Sequence, residues 1–352
     1  MSDNNDIHAF DYDARTRQVL SQKPLLSAKD LEVTFSLRGN KLVAIRHASL
    51  DLYKGETLAI VGESGSGKSV FTKCFVGMLD KNGSITHGSI EYDGQDLTKL
   101  TEREWLKVRG KKIAMVTQDP MTSLNPLFTV ENQLTEPLKI HRHMDKASAR
   151  EKALALLRQV DIPNPEARLK QYPHELSGGL RQRVMIAIAI ACAPKLIIAD
   201  EPTTALDVTI QAQILELLQG LKRDSRASII MITHDMGVIA SMCSRILVMY
   251  GGTICEQGDV REIFYGARHP YTWGLLNSIP KVHQKRGEKL VPIHGTPPDM
   301  LQPPAGCPFA PRCRYCMPVC RAYMPPETAL SETHRVACHL MHPKAPKVTR
   351  ED

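Results

Sequence analysis

The stretch Gly62-Glu-Ser-Gly-Ser-Gly-Lys68-Ser69 fits the pattern G-x-x-x-x-G-K-[S/T] and directly follows the apolar run Thr57-Leu-Ala-Ile-Val61. The run predicts a buried β-strand, and the glycines after it let backbone N–H groups surround a polyphosphate. The segment Val70–Leu79 is expected to begin a helix whose N-terminus faces the anion. A glycine-rich surface turn is the alternative, and the strand and helix signals on either side disfavour it.

This loop predicts binding of a nucleoside triphosphate with Mg²⁺. Lys68 is expected to reach the β and γ phosphates, and the Ser69 hydroxyl to bind the metal ion. The predicted nucleotide-binding residues of the loop are Gly62, Glu63, Ser64, Gly65, Ser66, Gly67, Lys68, Ser69 and Val70.

Two acids close a second apolar run, Leu196-Ile-Ile-Ala-Asp200-Glu201. Alone this is a weak signal, because strand ends often carry solvated charges. After a phosphate-binding loop it predicts the carboxylates that nucleotide hydrolysis requires. We assign Asp200 to the Mg²⁺ ion and Glu201 to the general base.

Composition limits the class of protein. The 352 residues suggest about two domains, and 42% hydrophobic residues are ordinary for a water-soluble chain. The longest apolar stretch, Val184–Pro194, has 11 residues, whereas a membrane helix needs about 20. The polar, acidic start predicts no signal peptide and a cytoplasmic protein. A net charge of +7 suits an anionic membrane face or nucleic acid, or has no functional meaning.

The periodicity of the sequence changes along the chain and indicates an α/β fold. Residues 1–25 have no clear pattern and predict a loose arm. Strand-like runs alternate with turns over residues 26–117, which predicts an antiparallel section. The pattern is helical over residues 119–193, and strands and helices then alternate over residues 196–248, as in a parallel core sheet.

The nine cysteines are distributed unevenly. Four stand singly and are predicted to be core thiols: Cys74, Cys192, Cys243 and Cys255. Five cluster near the C-terminus: Cys307, Cys313, Cys316, Cys320 and Cys338. A cytoplasmic location disfavours disulfides, so the cluster indicates Zn²⁺ or an iron–sulfur centre. Only Cys313 and Cys316 form a Cys-x-x-Cys pair, and this favours iron–sulfur over zinc.

Residues 26–260 resemble the ATP-binding cassette (ABC) ATPases. The resemblance rests on the loop and acids above together with Gln118, Leu176-Ser-Gly-Gly179, Ala205-Leu-Asp207 and His234. Leu180 stands where the family usually has Gln. The resemblance implies an ABC-type nucleotide-binding domain with a parallel core sheet, an antiparallel β subdomain and a helical subdomain at residues 119–193.

The resemblance also implies roles for residues outside the loop. Gln118 would sense Mg²⁺ and the membrane partner, and His234 would contact the γ phosphate. Ser177, Gly178, Gly179 and Asp207 would bind the nucleotide held by an opposite subunit. Phe35 is our choice for the aromatic that stacks on adenine, and an ordinary aromatic of the sheet core is the alternative.

The chain has one phosphate-binding loop and one signature motif. If each ATP is held between the loop of one cassette and the signature motif of another, the chain has to pair with a second cassette. Closure on ATP and reopening after hydrolysis would then form a nucleotide-dependent switch.

A closer resemblance, to the ATPases of oligopeptide and dipeptide importers, covers nearly the whole chain. It rests on five stretches: Asp119–Pro126, Tyr172–Ser177, His269–Leu276, Gly295–Pro298 and Gly306–Cys313. It implies a Cys-rich C-terminal extension at residues 261–352, with a 4Fe–4S cluster held by Cys307, Cys313, Cys320 and Cys338. Cys316 is extra to that pattern.

The resemblance further implies a peripheral protein at the cytoplasmic face of the bacterial inner membrane. Its partners would be a second, related ATPase, two membrane-spanning permease subunits and an external peptide-binding protein, with no nucleic acid. Two alternatives belong to other classes. A soluble cassette ATPase acting on nucleic acid or ribosomes usually joins two cassettes in one chain, and a non-enzymatic cassette scaffold would be expected to lack Glu201 or His234.

Overall fold

The computed structural model describes residues 22–119, 123–204, 207–225, 227–278 and 292–350. Most of the predicted N-terminal arm, residues 1–21, lies outside the described residues. The described chain forms two sheets of opposite character, one antiparallel and one mainly parallel.

The antiparallel sheet contains β1 (Leu26–Leu37), β2 (Asn40–Leu52), β4 (Gly83–Tyr92) and β5 (Gln95–Asp96), in the order β2-β1-β4-β5. Buried and more exposed residues alternate along much of β1, as expected for a sheet with one face on the core. The sequence prediction of an antiparallel section before Gln118 is confirmed.

The larger sheet holds β3 (Thr57–Val61), β6 (Ile113–Val116), β7 (Leu196–Asp200), β8 (Ser228–Ile232) and β9 (Arg245–Tyr250). These five strands are parallel, in the order β9-β3-β8-β7-β6. Every residue of β3, β7 and β8 is buried. Their continuous apolar runs follow from burial on both faces of the sheet.

The C-terminal region extends the same sheet. β10 (Thr253–Asp259) pairs antiparallel with β9, and β12 (Arg335–Ala337) and β11 (Glu327–Ala329) follow at the edge. The Glu256 carboxylate accepts hydrogen bonds from the backbone N–H groups of Arg268 and His269 and pairs with His334. The C-terminal extension is therefore bonded to the cassette through its sheet.

Helices cover the larger sheet and connect its strands. Their bounds are α1 (Lys68–Cys74), α2 (Glu102–Trp105), α3 (Val130–Arg142), α4 (Lys146–Gln159), α5 (Pro165–Arg168), α6 (Gly178–Ile190), α7 (Val208–Ser225), α8 (Met236–Met242), α9 (Val260–Gly266), α10 (Pro270–Asn277) and α11 (Pro318–Ala322). None of the helices in the described ranges is long and apolar enough to cross a membrane.

Helix α1 is shorter than the predicted Val70–Leu79. It ends at Cys74, and Gly77 then adopts the left-handed conformation with φ of 60°. A Cβ atom at Gly77 would lie 2.4 Å from the Trp105 ring. The ring and the left-handed glycine together end the helix, and sequence periodicity alone does not reveal such a contact.

Candidate nucleotide-binding and catalytic site

The phosphate-binding loop follows β3 and leads into α1, as predicted. The Lys68 Nζ atom donates to the carbonyl oxygens of Gly62 at 2.7 Å and Glu63 at 2.9 Å. Burial lowers the pKa of Lys68, and the nearby carboxylates of Glu201, Asp200 and Glu63 oppose that shift. The loop thus holds the Lys68 ammonium group against its own backbone carbonyls.

Close packing explains the first glycine of the loop. A Cβ atom at Gly62 would lie 2.2 Å from the carbonyl oxygen of Met249 in β9. The Ser66 carbonyl accepts a hydrogen bond of 3.1 Å from the N–H of Gly252, in the turn after β9. The loop is therefore seated against the neighbouring strand, and a side chain at Gly62 would displace it.

The predicted magnesium ligands Ser69 and Asp200 are in contact. The Ser69 hydroxyl donates to the Asp200 Oδ1 atom at 3.1 Å. Burial raises the pKa of Asp200, whose residue is only 5% exposed. A hydroxyl and a buried carboxylate are oxygen ligands that Mg²⁺ accepts, so the pair fits the ion expected with ATP.

The proposed general base, Glu201, directly follows β7. Its Oε2 atom accepts from the Gln118 amide at 2.9 Å and from the Thr204 hydroxyl at 2.8 Å. Its backbone has a φ of 47°, in the left-handed region, and its N–H donates to the Ile232 carbonyl at 2.9 Å. Neighbouring groups thus hold Glu201 in a sparsely populated conformation, as is common at functional sites.

His234 follows β8, the strand beside β7. Asp200 and Ile232 are register partners in these two parallel strands, so His234 and Glu201 leave the sheet at the same edge. The His234 side chain is exposed, and the next residue, Asp235, caps helix α8 through the N–H groups of Gly237 and Val238. The fold therefore brings Gln118, Asp200, Glu201 and His234 to the end of the sheet at which the loop lies.

The signature motif begins helix α6. Ser177 is its N-cap, and the Ser177 hydroxyl accepts from the N–H of Leu180 at 3.4 Å. Ser177, Gly178 and Gly179 line an open surface groove together with Asp207. The lining of that groove includes none of the loop residues 62–69. Ala205 and Leu206 of the predicted Ala205-Leu-Asp207 motif lie outside the described residues.

Phe35 lies on the antiparallel sheet. It is 9% exposed, and a Cβ atom at Gly83 on the paired strand would lie 2.5 Å from its ring. This burial favours the alternative, an aromatic of the sheet core, over adenine stacking. The assignment of Phe35 to the nucleotide remains a prediction.

Three contacts of the phosphate-binding loop and of the proposed general base were not predicted from the sequence. Tyr271 accepts a 2.7 Å hydrogen bond from the Glu63 N–H, Arg312 pairs with the Glu63 carboxylate, and Thr204 donates to Glu201. Tyr271 and Arg312 lie in stretches that carried the importer resemblance, but more than 200 positions separate them from the loop. No local sequence signal links them to the nucleotide site.

The four cysteines predicted to bind an iron–sulfur cluster line one small cavity. Cys307, Cys313, Cys320 and Cys338 all face it, and Cys316 is not part of its lining. Burial raises the pKa of Cys307 and Cys313 to about 11. Thiolates at these positions therefore require a nearby cation.

The predicted metal site is not confirmed. Within the described ranges, no group of three or more His, Cys, Asp or Glu side chains has the spacing to hold a metal ion. The donor type fits a soft metal, and the four thiols share a cavity.

The two sheets, the phosphate-binding loop and the carboxylates at the strand ends define an ABC-type ATPase. A family model described as "ABC transporter" matches residues 45–204. A second, described as "Oligopeptide/dipeptide transporter, C-terminal region", matches residues 255–320.

Similar proteins agree with this class. The oligopeptide transport ATP-binding protein OppD of Bacillus subtilis is 53% identical over 92% of this chain and 91% of its own length. The dipeptide transport ATP-binding protein DppD of the same organism is 50% identical over 91% of this chain and 96% of its own length. A dimeric ATP-binding cassette solved in a post-hydrolysis state with ADP and Pi has a TM-score of 0.61 and 29% identity, covering 67% of this chain and 99% of that one.

The chain therefore belongs to the family of oligopeptide/dipeptide ABC transporter ATP-binding subunits. It is an ATP-hydrolysing transporter subunit, and the predicted fold class is confirmed. The predicted domain bounds at residues 25 and 260 stay predictions.

Proposed function

We propose that this chain hydrolyses ATP at an interface with a second, related cassette and so drives uptake of oligopeptides across the bacterial inner membrane. None of the loop residues 62–69 lines the groove at the signature motif, and the similar solved cassette is dimeric; both observations support the pairing. The relatives named as oligopeptide and dipeptide transport proteins support the cargo. Oligopeptides are proposed over dipeptides from the overall resemblance.

In the proposed reaction, the loop N–H groups and Lys68 bind the phosphates. Ser69, Asp200 and Gln118 would hold Mg²⁺, which supplies charge neutralisation at the β and γ phosphates. Glu201 would accept a proton from the attacking water. Since Gln118 and Thr204 both donate to Oε2 of Glu201, we assign its Oε1 atom to the water. His234 would contact the γ phosphate.

Closure of the two cassettes on ATP would move two membrane-spanning permease subunits. The chain would lie at the cytoplasmic face of the inner membrane without crossing it, and an external binding protein would deliver the peptide. Co-purification tests this assembly. Hydrophobic membrane subunits support the importer, whereas bound rRNA or DNA would support a soluble cassette acting on nucleic acid.

The hydrolytic roles are tested by two variants. Glu201→Gln keeps the size and hydrogen bonding of the side chain but removes the base, so ATP should bind while hydrolysis is nearly abolished. Lys68→Ala should instead lose affinity for ATP itself. Full hydrolysis by Glu201→Gln in the assembled transporter would remove the general-base assignment.

We also propose that Cys307, Cys313, Cys320 and Cys338 hold an iron–sulfur cluster. The shared cavity and the exclusion of Cys316 from it support this set. The cluster would cross-link the C-terminal segment through its thiolates. Anaerobic purification with an absorbance spectrum and iron, zinc and sulfide analysis tests it: Cys313→Ser should lose iron, and Cys316→Ser should retain it. Zinc, or no metal, in the wild-type protein would overturn the proposal.

A further inference from the structure

Arg312 connects the C-terminal region to the phosphate-binding loop. It ends the short 3-10 helix Ala310–Arg312 and immediately precedes Cys313. Its Nη1 atom donates to Oε2 of Glu63 at 2.6 Å and its Nη2 atom to Oε1 at 3.1 Å. This is a bidentate pair between residues 249 positions apart.

The guanidinium is fixed from every side. Besides Glu63, it donates to the Tyr250 hydroxyl at 3.0 Å and to the carbonyls of His294 and Ile293, each at 2.8 Å. The Arg312 side chain is 5% exposed, and its hydrogen bonds to Glu63 and Tyr250 raise its pKa. These partners hold the planar guanidinium in one position, and a lysine ammonium group could not make the same set of hydrogen bonds.

Glu63 is the second residue of the loop, and its backbone accepts one hydrogen bond and donates another. Its carbonyl accepts from Lys68 Nζ at 2.9 Å, and its N–H donates to the Tyr271 hydroxyl at 2.7 Å. The Tyr271 ring lies 5.3 Å, centroid to centroid, from that of Phe309, which lines the cysteine cavity. The carboxylate and the backbone of Glu63 are therefore both held by residues C-terminal to the cassette's parallel strands.

The charge of Glu63 is the reason the pair matters for ATP. The loop has to accept a polyanion, and a carboxylate on its second residue repels that ligand unless a cation compensates it. Arg312 supplies this compensation from a nearly buried position, where solvent screening is weak. Loss of Arg312 would leave the negative charge and free Glu63 to shift the carbonyl that holds Lys68.

We propose that Arg312 is a positioning residue for the nucleotide site. By neutralising and fixing Glu63, the C-terminal region sets the affinity of the cassette for ATP. The proposal rests on ATP binding at residues 62–69, and the Lys68→Ala variant tests that premise separately.

The test is a double-mutant cycle on the full chain, with Mg·ATP affinity measured by calorimetry at low and high salt. Arg312→Gln should raise the Kd for ATP by roughly five- to tenfold at low salt. The effect should be smaller at high salt, because the unpaired Glu63 carboxylate, whose side chain is 25% exposed, is then screened. Arg312→Lys keeps the charge but loses the fork, so its Kd should rise by only about two- to fourfold.

The second arm separates charge compensation from a merely structural role. Glu63→Gln should bind ATP at least as well as wild type, and adding Arg312→Gln to it should change the Kd by no more than about twofold, because no carboxylate is left to compensate. Arg335→Gln, which breaks the exposed pair with Glu327, is the matched control and should have no effect.

Melting temperatures identify variants that fail to fold. If Arg312→Gln alone does not fold, the Arg312→Lys variant decides the question, since a wild-type Kd for ATP in that variant would overturn the proposal. Wild-type ATP affinity in Arg312→Gln would overturn the proposal. Equal losses of affinity in the single and the double variant would also overturn it, because they would show a structural effect independent of Glu63.

Discussion

Gly65 in the phosphate-binding loop and Gly39 in the hairpin between β1 and β2 allow a matched test of the nucleotide site. Both are left-handed, with φ of 77° for Gly65 and 91° for Gly39. Among the described residues, a Cβ atom at either position would have no heavy atom within 4 Å. The two positions therefore share their backbone strain and differ in whether a phosphate is expected beside them.

The magnitudes follow from that difference. An L-residue in the left-handed region costs about 1–2 kcal/mol, so Gly65→Ala and Gly39→Ala should lower the free energy of unfolding by similar amounts without nucleotide. In ATP binding the Cβ of Gly65→Ala would enter the space of the phosphates. A collision of about 1–3 kcal/mol corresponds to an ATP Kd roughly 5- to 150-fold higher.

The assay combines urea unfolding without nucleotide and calorimetric titration with Mg·ATP. We expect comparable unfolding free energies for the two variants and an affinity defect for Gly65→Ala alone. Wild-type ATP affinity in Gly65→Ala would refute the assignment of this loop to the phosphates. A similar loss in Gly39→Ala would show that the effect comes from the fold instead.

Two further predictions concern buried groups of the core. Burial raises the pKa of Cys74 and Cys243 to about 12, whereas in the unfolded chain these thiols ionise near pH 9. Above pH 9 the unfolded chain loses protons that the folded chain keeps, so the free energy of unfolding falls, by about 1.4 kcal/mol per thiol at pH 10. Urea unfolding at pH 8 and pH 10 should show this loss. The Cys74→Ala/Cys243→Ala variant lacks both thiols, so its loss between the two pH values should be smaller by about 2.8 kcal/mol; equal losses would contradict the prediction. Glu56→Ala leaves the buried Arg245 without its ion-pair partner and should lower the free energy of unfolding in urea by about 3–5 kcal/mol. The control Glu327→Ala removes an exposed pair and should lower it by less than about 1 kcal/mol. Similar losses in the two variants would contradict the prediction.

Local signals were sufficient to predict the elements around the nucleotide. The apolar runs ending at Val61 and Asp200 predicted buried strands, because a strand that is buried on both faces is apolar throughout and shows no alternation. Since parallel neighbours end at one edge, the polar residues after these strands could be expected to converge. The contact between Ser69 and Asp200 agrees with that expectation.

Features set by distant contacts could not be predicted. The end of α1 at Cys74 depends on Trp105 and Gly77. The ion pair between Arg312 and Glu63 joins residues far apart in the chain. The burial of Phe35 depends on Gly83 of the paired strand. Periodicity describes which face of an element is apolar, but it does not state which distant side chain lies on that face.

Protection of the signature helix by ATP tests the central claim most directly. The proposed pairing places the N–H groups of Gly178 and Gly179, at the start of α6, against an ATP held by another cassette. The experiment uses the Glu201→Gln variant of this chain, which should bind ATP with little hydrolysis. Hydrogen exchange of its residues 177–180 should slow only when ATP and the second ATPase are both present. Exchange that slows with ATP alone, or does not slow with both, would contradict the account.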